Sequence, residues 1–297
     1  MLRYRLLTGT LVLAAFAAVT FWPSWWAGVL FALLAGAFLV LALREFFAMT
    51  LAMGHRGFPR LTMTMGALLV IAIAVLSSLE RCPRTWLPLT ETIIFAVFIS
   101  LAFARISRAN DWVRALYNMH VSLGAYAYLC WMLAFLVKVY FLEGGPGGGG
   151  PALFFFLVVV TKAGDIGGYV VGKSTARLLP GGNHKMVPRI SPNKSWEGLA
   201  GSIAFSIGAA AALVALMGER FALGGRIVIH EWNAIAMGFG LAVIGLLGDL
   251  TESILKRASQ LKDSGRALPG LGGVLDAVDS LILVAPLFYC YLCFVGD

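Results

Sequence analysis

Nine apolar runs dominate this sequence, at 6–22, 26–43, 61–79, 86–104, 115–141, 152–172, 197–217, 233–251 and 279–295. A bilayer core of about 30 Å is crossed by roughly 17 to 25 helical residues, so each run is long enough to span it. Backbone N–H and C=O groups find no partner in hydrocarbon except one another, which restricts such runs to helices. The predicted fold is all-α, a polytopic integral membrane bundle of about nine transmembrane helices, with 1–297 forming one membrane domain. Charged residues are only 13% of the chain and mean hydropathy is +0.85. An ordinary soluble domain, about 25% charged, is excluded. The first run is read as a retained helix, because no small-residue cleavage site precedes the stretch from Phe21 to Trp26. Trp22, Trp25 and Trp26 mark an interface belt.

The net charge of +8 arises from basic residues scattered through short loops, which suits anionic lipid head groups and not nucleic acid. Nine spans put the chain ends on opposite sides. Seventeen Lys and Arg fall on the N-terminal side and five on the other, with Lys162 inside a span. The positive-inside rule then makes the N-terminus and the 173–196 and 252–278 loops cytoplasmic and the C-terminus extracytoplasmic. Glu143–Pro151 is a Gly/Pro linker that divides N-terminal spans, 1–142, from a polar-rich set, 152–297. The stretch from Arg44 to Arg60 reads equally as an interfacial amphipathic segment or a plain loop. Cys290 and Cys293 sit inside a span and read as packing residues, and His55, His120, His184 and His230 are isolated, so no metal cluster of Cys or His is implied.

Polar chemistry concentrates in Gly248–Ser280, where Asp249, Glu252, Ser253, Lys256 and Arg257 share one helical face by spacing. Asp276, Asp279 and Ser280 repeat the i, i+3, i+4 pattern at the start of the last run. Carboxylates without Cys or His favour a hard cation such as Mg²⁺, and neighbouring Lys and Arg suit phosphates. Between them Asp263–Gly273 is glycine-rich, able to bring N–H groups near an anion. Lys162 and Asp165 at i, i+3 lie within the sixth run, either as a buried ion pair fixing packing or as part of a functional path. Gly164, Gly168 and Gly172 form a small-residue stripe beside them. Ser191-Pro192 reads as a turn and Ser195 as a helix N-cap, with Lys194 beside a helix start that favours phosphate.

Three ordered blocks in residues 160–280 resemble the phosphatidate cytidylyltransferase (CDP-diacylglycerol synthase) family. The first is Asp165, Tyr169, Gly172 and Lys173; the second is Ser191, Pro192, Lys194, Ser195, Glu197 and Gly198. The third is Ser253, Lys256, Arg257, Lys262, Asp263, Pro269, Gly270, Gly272, Gly273, Asp276 and Asp279. Two positions depart from the family's pattern: its His is Leu271 and its Arg is Ala277. The resemblance implies transfer of CMP from CTP to phosphatidic acid in a bacterial inner membrane, giving CDP-diacylglycerol and pyrophosphate with one or two Mg²⁺. Together with the spacing that puts Asp249 on the same helical face, it makes Asp249, Asp276, Lys256, Arg257 and Lys194 the expected catalytic residues, and Asp249, Asp276 and Asp279 the expected metal set. Ser191, Ser253, Asp165, Tyr169, Lys173, Lys262 and Asp263 would bind substrate. CTP, phosphatidic acid and the bilayer are the expected partners, and a homodimer is an admissible assembly. Two other readings are a cation- or proton-coupled transporter built on Lys162 and Asp165, and a CDP-alcohol phosphotransferase, whose opening D-G-x-x-A-R the chain lacks.

Overall fold

The computed structural model describes residues 17, 18, 20, 22, 24–79, 85–144, 149–261, 264, 265 and 272–296. Most of the run 6–22 lies outside the described residues, as do Lys262, Asp263, Pro269, Gly270, Leu271 and linker residues 145–148. The other eight runs are each a helix long and apolar enough to cross a membrane. They are α1 (Trp25–Ala52), α2 (Pro59–Ser78), α3 (Trp86–Ile106), α4 (Trp112–Tyr140), α5 (Gly149–Leu178), α6 (Trp196–Met217), α7 (Glu231–Ala258) and α8 (Val274–Gly296). Helix α5 starts inside the glycine-rich stretch, with Pro151 in its first turn, where proline forfeits no intrahelical bond.

Two short hairpins complete the chain. Strands β1 (Lys185–Val187) and β2 (Ser191–Ser195) pair antiparallel between α5 and α6, and β3 (Ala222–Leu223) pairs with β4 (Arg226–Ile227) at the opposite end. The expected turn at Ser191-Pro192 is displaced: residues 188–190 turn, and Ser191 opens β2. Pro188 carries the fixed φ that starts this turn one step earlier. Ser195 does cap α6, its hydroxyl accepting from the Gly198 N–H at 3.1 Å.

Helix α8 packs on α7, α4 and α1, so buried apolar side chains from Ala27 to Leu292 form one continuous cluster. Phe31 stacks on Tyr140 at 3.7 Å, and Phe156 lies between Phe221 and Phe288 at 5.2 and 6.1 Å. Leu216, Phe239 and Ile254 stay exposed on outer faces, as lipid contact requires. The contact that matters most for the site is α7 against α8 at Gly248, where a Cβ would overlap the Asp279 carbonyl and approach Ser280 Cα to 3.2 Å. Backbone cannot move aside as a flexible side chain can. Gly248→Ala should therefore part the two helices and cost about 1–3 kcal/mol, seen as a lower unfolding midpoint in detergent. Gly36→Ala, in α1 with nothing within 4 Å of the added carbon, should not lower it.

Candidate active site

Helix α8 begins at Val274, so Asp276 falls in its first turn and Asp279 one turn deeper. That difference separates their partners. Asp276 Oδ2 turns back to accept from Gly273 N at 2.7 Å, Ser264 N at 3.2 Å and Ser264 Oγ at 2.8 Å, satisfying groups at the helix start. Its Oδ1 accepts from Lys256 Nζ at 2.8 Å. Asp279, only 8% exposed, reaches α7 through the close approach at Gly248.

Asp249, Glu252 and Asp279 thereby bring one carboxylate oxygen each to within 4.8 Å of one another. Glu252 is fully buried, and its Oε1 has no hydrogen-bond partner among the described residues. Lysines surround the triad. Lys194 Nζ, from β2, donates to Asp249 Oδ2; Lys256 Nζ donates to Glu252 Oε2 at 2.5 Å; and Lys162 Nζ, from α5, lies 4.0 Å from Asp279 Oδ1. Lys162 also donates to Asp165 Oδ2 at 2.9 Å and to Ser280 Oγ at 2.8 Å, while the Ser280 hydroxyl lies 3.0 Å from Asp165 Oδ2. Ser253 Oγ sits 3.4 Å from Asp249 Oδ1.

Three close carboxylates, one with a buried oxygen that has no partner among the described residues, could hold a metal ion. The three lysines offset part of the repulsion among them, but Glu252 Oε1 is left without a hydrogen bond among the described residues. The donor set is all oxygen, which suits a hard divalent ion.

This set differs from the expected Asp249, Asp276 and Asp279: Glu252 occupies the third corner, and Asp276 is held one step away by Lys256. Glu252 was on the predicted polar face at i+3 from Asp249, so its spacing already pointed inward. Of the other sequence candidates, Lys194, Lys256, Ser253 and Asp165 gather around the triad. Arg257 donates its Nε to the Ile190 carbonyl at 3.0 Å, tying α7 to the β1–β2 turn. Tyr169 and Lys173 contact each other on an exposed face of α5, Nζ to OH at 2.9 Å. Ser191 stands at the start of β2, on the hairpin that carries Lys194.

No signal in the sequence marked Glu45. It reaches from α1 to the start of α8, accepting from Val274 N at 3.0 Å and Leu275 N at 2.8 Å. His184 and Glu197 close the base of the hairpin, Nδ1 to Oε1 at 2.6 Å.

A family model described as the cytidylyltransferase family matches residues 3–295. The chain belongs to that family. Membership covers nearly its whole length, including the N-terminal spans in which no motif was found. Curated relatives are similar over shorter stretches. The phosphatidate cytidylyltransferase of Bacillus subtilis (strain 168) is 41% identical over 128 residues, 43% of this chain and 42% of that protein. The one from Mycobacterium leprae (strain TN) is 41% identical over 120 residues, 40% of this chain and 34% of its own. The uncharacterized protein YnbB of Escherichia coli (strain K12) is 34% identical over 134 residues, 45% of this chain and 40% of its own. The matched stretches span less than half the length of each of these relatives.

Proposed function

We propose that this chain is a phosphatidate cytidylyltransferase, moving the cytidylyl group of CTP onto phosphatidic acid. The observation that carries the proposal is the triad of half-buried Asp249 with buried Glu252 and Asp279, whose Glu252 Oε1 has no partner among the described residues, ringed by Lys162, Lys194 and Lys256. Carboxylates for a cation and lysines for phosphates are what two polyanionic substrates need in order to meet. The family match and the names of the curated relatives support the same reading.

In this reaction an oxygen of the lipid phosphate forms a bond to the α-phosphorus of CTP, and the bond from that phosphorus to the bridging oxygen breaks as pyrophosphate leaves. The attacking phosphate is already largely ionised near pH 7, so no strong general base is needed. Asp249, Glu252 and Asp279 would hold Mg²⁺, one ion or two. Bound there, the metal would neutralise charge building on the phosphates as the bonds exchange. Lys194 and Lys256 place positive charge beside the same oxygens, and Lys162 keeps Asp279 and Asp165 in register with Ser280. Such positioned charge supplies most of the catalysis in phosphoryl and nucleotidyl transfer. Ser253 and Ser191 are hydrogen-bond donors to substrate in this scheme, and Arg257, Lys173, Tyr169, Lys262 and Asp263 extend the contact surface. Asp276 acts by holding Lys256.

The test is purified protein in detergent given radiolabelled CTP, phosphatidic acid and Mg²⁺, with label counted in the lipid phase. Label in lipid that depends on both substrates and metal is expected. Its absence under every divalent metal tried would sink the proposal.

The proposal also sets an orientation in a bacterial inner membrane. Lys194, Lys256 and Asp276 lie at the end of the bundle rich in Lys and Arg, so the site faces the cytoplasm, where CTP is. With the native Cys82, Cys130, Cys290 and Cys293 replaced by serine, a membrane-impermeant maleimide should label Lys185→Cys only in inverted vesicles and Arg226→Cys only in right-side-out ones. The reverse pattern would contradict this orientation.

A further inference from the structure

Glu45 is the only acidic residue of α1, and it is only 9% exposed. Burying a carboxylate is costly unless donors replace its water, and here the donors among the described residues belong to the other end of the chain. Its Oε1 takes the Val274 N–H; its Oε2 takes the Leu275 N–H and lies 3.2 Å from Ser264 Oγ. The same Ser264 hydroxyl is 2.8 Å from Asp276 Oδ2 and accepts from Asp276 N at 3.3 Å. Asp276 holds Lys256, and Lys256 holds Glu252 of the triad. An unbroken polar chain therefore runs from Glu45 through Ser264, Asp276 and Lys256 to the carboxylate whose second oxygen is unpartnered.

A helix start needs acceptors for its first N–H groups, but a local Ser, Asn or Asp would serve. Drawing the acceptor from 229 residues away links the N-terminal spans to the position of the first turn of α8. Lys256 is the sensitive point, because Glu252 and Asp276 share its ammonium. If Asp276 loses its anchorage, Lys256 turns wholly to Glu252 and competes with a cation for that carboxylate.

We infer that Glu45 is a positioning residue for the triad, acting through Ser264, Asp276 and Lys256 to set its cation affinity. The inference rests on the cation-binding part of the proposed function, and its readout does not require turnover. Mn²⁺ is the probe, titrated into the full-length protein in detergent with the free ion followed by electron paramagnetic resonance. Outer partners of metal ligands typically contribute 10–100-fold in affinity, so Glu45→Gln and Ser264→Ala should each raise the Mn²⁺ dissociation constant about tenfold or more. Because the two act along one path, the double variant should bind no more weakly than Glu45→Gln alone. Ser264→Ala leaves the Val274 and Leu275 N–H groups capped by Glu45, so it decides the matter if Glu45→Gln does not fold.

Mn²⁺ affinity unchanged in Ser264→Ala, multiplicative losses in the double variant, or no Mn²⁺ bound by the unsubstituted chain would each overturn the inference. Lipid labelling from CTP is assayed on the same samples. Intact Mn²⁺ binding without any lipid labelling would sink the cytidylyl-transfer proposal while leaving the Glu45 inference standing.

Discussion

Asp279→Asn should lower turnover by roughly a thousandfold or more, about 4 kcal/mol of barrier, while helical content and membrane insertion persist. The substitution keeps the side chain's volume but removes one of three close carboxylates, and with it much of the charge that would hold a cation. Asp249→Asn should behave alike. It also releases Lys194, its ion-pair partner, onto the uncompensated side of the site. Asp276→Asn is the informative contrast. Its carboxylate makes no corner of the triad and instead accepts from Lys256, Ser264 and Gly273, so its loss should be nearer 10–100-fold and accompanied by weaker metal activation. Steady-state rates across a Mg²⁺ series would separate the three variants. A D276N enzyme as dead as D279N, with its Mg²⁺ midpoint raised as far, would return Asp276 to the metal set.

The distinction between Asp276 and Asp279 shows where sequence reading stops. Hydropathy was enough to place eight membrane-crossing helices, because each must satisfy its backbone alone and so carries its own signal. Spacing was enough to put Asp249, Glu252 and Lys256 on one face of α7. Which carboxylate of the last block meets that face depended on where α8 begins and how deep Gly248 lets it sit, and neither is a periodic property. The sequence reading put Asp276 ahead of Asp279 as a metal ligand, yet the first turn of a helix draws an acidic side chain back to its own N–H groups. Glu45 was less legible still. A single acidic residue beside an arginine at the end of an apolar run looks like an interfacial charge, and its partners lie more than two hundred residues away. Lys194 fell between these cases: its loop was recognised as a helix start, but only the β1–β2 hairpin, with its turn at residues 188–190, delivers the ammonium to Asp249.

Lys256→Met should give the largest loss of stability, and that loss should depend on metal. The ammonium lies 2.5 Å from Glu252 and 2.8 Å from Asp276, and Glu252 has no exposure to water. Methionine fills a similar volume but leaves both carboxylates without their cation, and breaking a buried pair in this way typically costs about 3–5 kcal/mol. In buffer with a chelator, the unfolding midpoint of the variant should therefore fall well below that of the unsubstituted protein. Adding Mg²⁺ should narrow the gap. An ion that binds only the folded triad stabilises it by about 2.7 kcal/mol at a hundred times its dissociation constant. Removing the competing ammonium should make that binding tighter in the variant, so its midpoint should rise further with Mg²⁺ than the parent's. Turnover should stay low even when stability returns, since the charge beside the phosphates is gone. Adding Glu252→Gln to Lys256→Met should recover part of the lost midpoint without metal, because the fully buried orphaned charge is removed while Asp276 keeps its Ser264 and Gly273 donors. If Mg²⁺ moved the Lys256→Met and parent midpoints by the same amount, Glu252 would not belong to a cation site, and Lys256 would be its standing counter-ion.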